Sequence, residues 1–261
     1  MPGPPVGVLI AVTRQVSPAM ERCELTHLQR VPIDIGRARK QHGAYEQVLR
    51  ALGCRVEALP EEPELPDSVF VEDTAIVLDE LAVITRPGAV SRRAETSSVA
   101  RALARYRKLV RIEAPGTLDG GDVLRVGRAL YVGVSGRSNR GAIEQLSALL
   151  PPLGYRVQPV AEHGCLHLKT AVTRITDEAL LINPRWVDRR SFAGMHFIEV
   201  DEAEPFGANA LAIGNRAIYP ASHPRTAERL RRYGIRVHAL DMSETEKAEG
   251  GVSCCSLVFA A

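Results

Sequence analysis

Ser256-Leu257-Val258-Phe259, preceded by Gly250-Gly251-Val252-Ser253-Cys254-Cys255, is a short apolar run at one end of the chain, and its reading decides the fold. Four residues of this kind read as one buried strand, and a lone strand needs a partner. None follows it. The matching run, residues 8–12, lies at the opposite end of the sequence and leads into the first helical stretch. Pairing the two ends makes a hairpin whose halves are separated by the whole chain.

Four intact hairpins lie between them. Apolar runs 74–78 and 81–85 flank Asp79-Glu80, and 123–126 and 129–132 flank Gly127-Arg128. The third pair is 171–175 with 179–182; the fourth, 210–213 with 217–219, turns at Gly214-Asn215. A further strand recurs five times: Gly53-Cys54-Arg55-Val56-Glu57-Ala58-Leu59, then 109–114, 154–160, 195–200 and Gly234-Ile235-Arg236-Val237-His238-Ala239-Leu240. Each copy follows a helical stretch, at 34–52, 94–106, 139–149, 188–193 and 225–233. In the first, Tyr45, Val48, Leu49 and Leu52 mark one apolar face and Gly53 ends it. The pattern predicts a single α/β domain over 1–261: a propeller of five ββαβ units about a pseudo-fivefold axis, closed by its own ends, so that no sheet edge is left open. A WD-type propeller would need four strands per blade and no helices, and Trp186 is the only tryptophan.

Composition narrows the function. The chain is 45% hydrophobic, enough for a large core. A net charge of +2 with 25% charged residues supplies no basic field for nucleic acid. The start has no basic leader region, and the run 8–12 is too short for a signal core or a membrane span, so a soluble, cytoplasmic protein is expected. Five cysteines (Cys23, Cys54, Cys165, Cys254, Cys255) with no CxxC spacing indicate neither a disulfide framework nor a zinc ribbon.

If five units share an axis, the residues just ahead of each hairpin converge on it. These are Asp67-Ser68-Val69-Phe70-Val71-Glu72-Asp73, Thr117-Leu118-Asp119-Gly120-Gly121-Asp122, Cys165-Leu166-His167-Leu168-Lys169, Gly207-Ala208-Asn209 and Val252-Ser253-Cys254-Cys255. Polar groups beside buried strands are costly unless paired or used. Singly, Asp122 suits an Asx turn, His167 a hydrogen-bonded core histidine and either cysteine a small core residue. Together, Cys254, His167 and Asp119 supply nucleophile, base and orienter, a catalytic triad.

These residues resemble the dimethylarginine dimethylaminohydrolase family, in the guanidine-modifying pentein (α/β-propeller) superfamily. The resemblance runs through Val69-Phe70-Val71-Glu72-Asp73, Ile84-Thr85-Arg86-Pro87-Gly88-Ala89, Ser91-Arg92-Arg93, Thr117-Leu118-Asp119-Gly120-Gly121-Asp122-Val123-Leu124, His167-Leu168-Lys169 and Cys254-Cys255-Ser256. It implies Cys254 as nucleophile, His167 as acid and base, and Asp119 as the carboxylate partner of His167. Glu72 and Asp73 would face the guanidinium, Arg92 and Arg137 would hold the substrate carboxylate, and Asp67 its amino group. Leu25 would sit on a flap over the site, and Ala248 and Glu249 would touch substrate from the last loop. No metal or other cofactor is implied; the implied ligand is a small guanidine, bound by a monomer or homodimer.

The chemistry fits those groups. A guanidinium spreads its charge over three nitrogens and stays protonated below a pKa of about 12, so its carbon needs a thiolate and a firmly held cation. A thiol with an ordinary pKa of about 8.5 must be pushed to ionise, by the substrate's charge, by His167 or by both. The expected reaction converts N-ω-methylated arginines into citrulline and dimethylamine or methylamine through a covalent S-alkylthiouronium. Arginine or agmatine deimination, a catalytically silent binding ring and a Cys/His/Asp zinc site are the alternatives, the last lacking local ligand spacing. Cys255, one residue on along the strand, points to the other face and reads as packing.

Overall fold

Each apolar run of the sequence becomes a strand, and the chain visits them blade by blade. A computed structural model of the chain describes residues 7–261; the segment 1–6, where the leader would start, lies outside the described residues. The order is β1 (Leu9–Arg14), α1 (Ile35–Ala51), β2 (Cys54–Leu59); β3 (Ala75–Val77), β4 (Leu81–Ile84), α2 (Thr96–Leu103), β5 (Lys108–Arg111); and β6 (Val123–Val126), β7 (Ala129–Val134), α3 (Arg140–Leu149), β8 (Arg156–Ala161). Then come α4 (Leu168–Ala171), β9 (Val172–Arg174), β10 (Ala179–Ile182), β11 (His196–Glu199); β12 (Leu211–Ile213), β13 (Arg216–Pro220), α5 (Pro224–Arg232), β14 (Arg236–Leu240); and finally β15 (Leu257–Ala260).

These strands form five three-stranded sheets, in the orders β15-β1-β2, β3-β4-β5, β6-β7-β8, β9-β10-β11 and β12-β13-β14. In every sheet the first pair is antiparallel and the second parallel. A parallel neighbour needs a crossover; α1, α2, α3 and α5 supply it in four sheets, and a segment with the 3-10 turn Arg189–Phe192 supplies it in β9-β10-β11. The split hairpin forms as expected: Leu9 faces Ala260 and Val12 faces Leu257.

Burial follows position in the blade. The central strands β4 and β10 are buried at every residue, as their unbroken apolar sequence demands, while the outer strand β8 is mostly exposed and β5 is exposed at its two end residues. The core divides into five clusters, one at each junction of neighbouring blades. Ile10 and Val12 of the first blade meet Ala75 and Ile84 of the second, and Ala11 of the first meets Ile213 and Ile218 of the last. Apolar contact therefore passes around the whole ring.

Helix ends are set by local chemistry. Asp34 caps α1 by accepting the Arg37 amide at 2.9 Å, and Asn139 caps α3 by accepting that of Ala142 at 3.0 Å. The fourth expected helix, 188–193, is only a 3-10 turn, Arg189–Phe192. Pro184 and Gly194, the latter at φ +83°, leave no room for a longer one. Among the described residues, no helix is long and apolar enough to cross a membrane.

Candidate active site

The segments ahead of the inner strands form short turns that aim side chains at the axis. Val71–Thr74 and Gly120–Asp122 are 3-10 turns, and His167 is the residue before the single turn α4. One cavity is lined by Asp67, Asp73, Arg92, Arg137, His167, Ala248, Glu249 and Cys254. Residues from five separate stretches of sequence thus share a single space.

His167 sits between two carboxylates. Its Nε2 lies 3.0 Å from Asp119 Oδ2, and its Nδ1 lies 3.9 Å from Asp73 Oδ1. All three side chains are buried. Burial opposes charge on the imidazole, but Asp73 and the hydrogen bond to Asp119 outweigh it and push His167 up to about 10. Burial likewise works against ionisation of Asp73; His167 and Arg92 overcome it and hold the carboxylate down at about 2. Asp119 is itself fixed, taking the Gly88 amide on Oδ1 at 2.9 Å while its own amide donates to Ser138 Oγ at 3.1 Å.

Gly121 explains why these groups can come so close. Its amide donates to Asp73 Oδ1 at 2.9 Å, and a Cβ there would lie 2.7 Å from both Asp73 Oδ1 and His167 Nδ1. Only glycine leaves that space.

Cys254 is half-buried, with the Gly251 amide 3.3 Å from its sulfur. Burial, followed by the charges of Glu72 and Asp73, pushes its thiol well above the usual range. Without a ligand the sulfur keeps its proton. Cys255 is wholly buried beside Tyr45 and Met242, in keeping with a packing role.

The two expected guanidinium carboxylates part ways. Asp73 lines the cavity, whereas Glu72 turns to Lys169 and to Ser253 Oγ, the latter at 2.9 Å, and borders a central channel of about 450 Å³ between the inner strands. The reason is geometric: a 3-10 turn advances about 120° per residue, so adjacent side chains cannot face one point. Arg92 is buried, with donors to Glu95, to Asp73 at 2.6 Å and to the Phe70 carbonyl at 3.2 Å. Arg137 donates to Thr26 Oγ1 at 3.1 Å, and Asp67 accepts the Glu24 amide at 3.1 Å. Leu25 lies between Glu24 and Thr26 on the strap 24–28, where its side chain packs against the core cluster around Val69 and Phe70. Asp73, Asp119 and His167 also offer three possible metal-ligand atoms within 4.8 Å of one another. Those atoms are paired among themselves and with Arg92, so a cation would have to break an existing ion pair.

Residues 26–258 match the family model described as "N,N dimethylarginine dimethylhydrolase, eukaryotic". The chain is 40% identical over 228 residues to a dimethylarginine dimethylaminohydrolase of Pseudomonas aeruginosa, covering 87% of this chain and 90% of that protein. It is 41% identical over 249 residues to one of Streptomyces coelicolor, covering 95% of each. The chain belongs to the dimethylarginine dimethylaminohydrolase family. A solved structure of the Pseudomonas dimethylarginine dimethylaminohydrolase, a cysteine-to-serine mutant complexed with citrulline, superposes with a TM-score of 0.92 at 37% identity over 95% of this chain and 98% of that one. The five-bladed α/β-propeller read from the sequence is therefore the family's fold. The N-terminal domain of ArgZ, an arginine dihydrolase, superposes at 0.82 with 20% identity over 96% of this chain and 97% of that one, a likeness of fold alone.

Some residues that support this cavity carry little sequence signal. Glu95, which grips Arg92, lies one helical turn on from it at a spacing common to any surface ion pair. Asn209, read only as a converging polar group, donates to Ser253 Oγ at 2.9 Å and accepts the Ser253 amide at 3.0 Å. Ser253 in turn reaches Glu72, so this chain of bonds steadies the loop that carries Cys254.

Proposed function

We propose that the protein hydrolyses N-ω-methylated arginines, asymmetric dimethylarginine and monomethylarginine, to citrulline and dimethylamine or methylamine. One observation carries this reading: a single cavity brings the Cys254 thiol together with the carboxylate of Asp73 and the imidazole of His167. Burial and the charges of Glu72 and Asp73 push that thiol upward, so a cation arriving there favours its ionisation.

The steps follow from that. A guanidinium bound against Asp73 offsets the negative charges around Cys254, and the thiol gives its proton to solvent. The thiolate adds to the guanidinium carbon, forming the C–S bond. His167, charged at neutral pH, protonates the methylated nitrogen as the C–N bond breaks, and the amine leaves. The product is a thiouronium, and His167 is now neutral. It takes a proton from water, whose oxygen adds to the same carbon, and collapse of the adduct breaks the C–S bond to give citrulline. Asp119 keeps the imidazole oriented and favours its charged form in each half-reaction.

At the other end of the substrate, Arg137 and Asp67 take the α-carboxylate and α-amino groups. Arg92 commits most of its donors to Glu95, Asp73 and main-chain carbonyls; it braces Asp73 and has one N–H left to turn toward the carboxylate. Ala248 closes the cavity from the last loop. On this reading residues 1–261 form one ring, which the pairing of β1 with β15 supports, acting without nucleic acid, in keeping with the small net charge, and without a cofactor, as a monomer or homodimer in the cytoplasm.

Incubation with asymmetric dimethylarginine, monomethylarginine, arginine and agmatine, with assay of ureido product and released amine, tests the proposal. Citrulline and dimethylamine in equal amounts are expected. Faster turnover of arginine or agmatine, or no ureido product at all, would reject it.

A further inference from the structure

Glu249 has an unusual backbone and an unusual set of partners. It is the one non-glycine residue with positive φ (+58°) among the described residues, although Gly250 and Gly251 stand beside it. A left-handed conformation is costly for a residue with a Cβ and persists where its surroundings enforce it. Its carboxylate accepts three consecutive main-chain amides: Thr26 at 3.1 Å, His27 at 2.5 Å and Leu28 at 2.6 Å. Successive amides pointing at one anion form a nest, and bonds to an ionised acceptor are the stronger kind.

The strap 24–28 thus has three attachments to the cavity wall. Glu24 gives its amide to Asp67 and Thr26 accepts from Arg137, while Glu249 holds 26–28. A fourth bond, from Ser91 Oγ to Glu24 Oε1 at 2.5 Å, ties the strap to a residue that does not line the cavity. Thr26, His27 and Leu28 are exposed, so little packing replaces these bonds.

We infer that Glu249 is a positioning residue that latches the strap over bound substrate, acting through the amides of Thr26, His27 and Leu28 rather than on the substrate itself. This rests on the proposed function in one respect. If Asp67 and Arg137 turn to the amino and carboxylate groups of substrate, two attachments are given up, and Glu249 becomes the main hold on residues 26–28, beyond the packing of Leu25 and the bond of Glu24 to Ser91. The resemblance to the family implied that Glu249 touches substrate; its carboxylate is instead filled by the strap.

Two variants and two measurements test the latch. Glu249→Gly accepts φ +58° without strain and removes the carboxylate; Glu249→Gln keeps the shape and removes the charge. Hydrogen exchange at Thr26, His27 and Leu28 should accelerate by at least about tenfold in the glycine variant and by less in the glutamine variant, with melting temperature held or raised. KM for dimethylarginine should rise by about tenfold while kcat falls less, since binding and not the chemical step loses support. Exchange is read without substrate, so it decides the latch even if the protein proves inactive on methylarginines. Unchanged exchange in both variants would overturn the inference. Faster exchange with unaltered KM in an active enzyme would overturn the link to substrate.

Discussion

Cys254 and Cys255 are the same residue type one position apart, and their surroundings separate them. The first lines the cavity and faces two carboxylates; the second is sealed in the core between β15 and α1. Cys254→Ser should abolish citrulline formation. Cys255→Ser should retain most turnover and lose about 1–3 kcal/mol of stability, because a hydroxyl is buried there, which chemical denaturation would measure. Equal loss of activity in both would contradict the assignment. Alkylation of Cys254 by a neutral haloacetamide should be slow at pH 7 and accelerate well above it, since the resting thiol is shifted upward. His167 carries the opposite test. Its folded value is raised to about 10 from an ordinary one of about 6.5, so its stabilising charge is complete below pH 6.5 and is lost as pH rises through 10. Asp119→Asn removes a hydrogen-bonded carboxylate, so the imidazole resonance should titrate at lower pH and the alkaline limb of kcat should move down with it. At this scale the order of motifs singled out Cys254, His167 and Asp119; the first two line one cavity, and Asp119 is bonded to His167 behind it. It could not separate Glu72 from Asp73, because adjacency in sequence says nothing of direction until the turn type is known.

The elements bring these side chains together by close approach of backbone, and two glycines mark where. Gly88 passes so near Arg137 that a Cβ would lie 2.4 Å from the Arg137 carbonyl oxygen; Gly121 leaves equally little room beside Asp73 and His167. Neither has positive φ, so the need is for space rather than for an unusual conformation. Gly88→Ala and Gly121→Ala should each cost about 1–3 kcal/mol through overpacking, and Gly121→Ala should lose nearly all activity because it parts Asp73 from His167. Melting curves and initial rates would read both. If Gly121→Ala kept full activity, the close approach would be irrelevant to catalysis. Hairpins and their turns were legible because apolar runs separated by two or three polar residues have one simple solution. Helix ends were less so: the second helical stretch begins as a 3-10 turn, Val90–Glu95, before α2, and the fourth never becomes α-helical. Proline and glycine were visible there, but the six residues given to a helix are too few for periodicity to decide.

Closure of the ring is a statement about the whole chain. The Ala261 amide bonds to the Val8 carbonyl at 2.9 Å, so the described ends lie side by side, as the two arms of each interior hairpin do. The break in the chain can therefore be moved from that point to the turn of another hairpin if the ends are joined. A circular permutant that omits residues 1–6, joins Ala261 to Gly7 through a short glycine-rich linker and opens at the exposed Gly214-Asn215 turn should fold with a melting temperature within about 5 °C of the parent. It should also keep its citrulline-forming activity, because the turn between β12 and β13 contributes nothing to the cavity. Deleting residues 257–261 instead removes β15 from its place beside β1 and takes Leu257 and Phe259 out of the junction between the first two blades. Loss of two large buried side chains there should cost several kcal/mol and release the loop that carries Cys254, leaving a protein that unfolds early and does not turn over. A permutant that failed to fold while the truncated chain stayed active would mean that the ends meet without holding the ring closed.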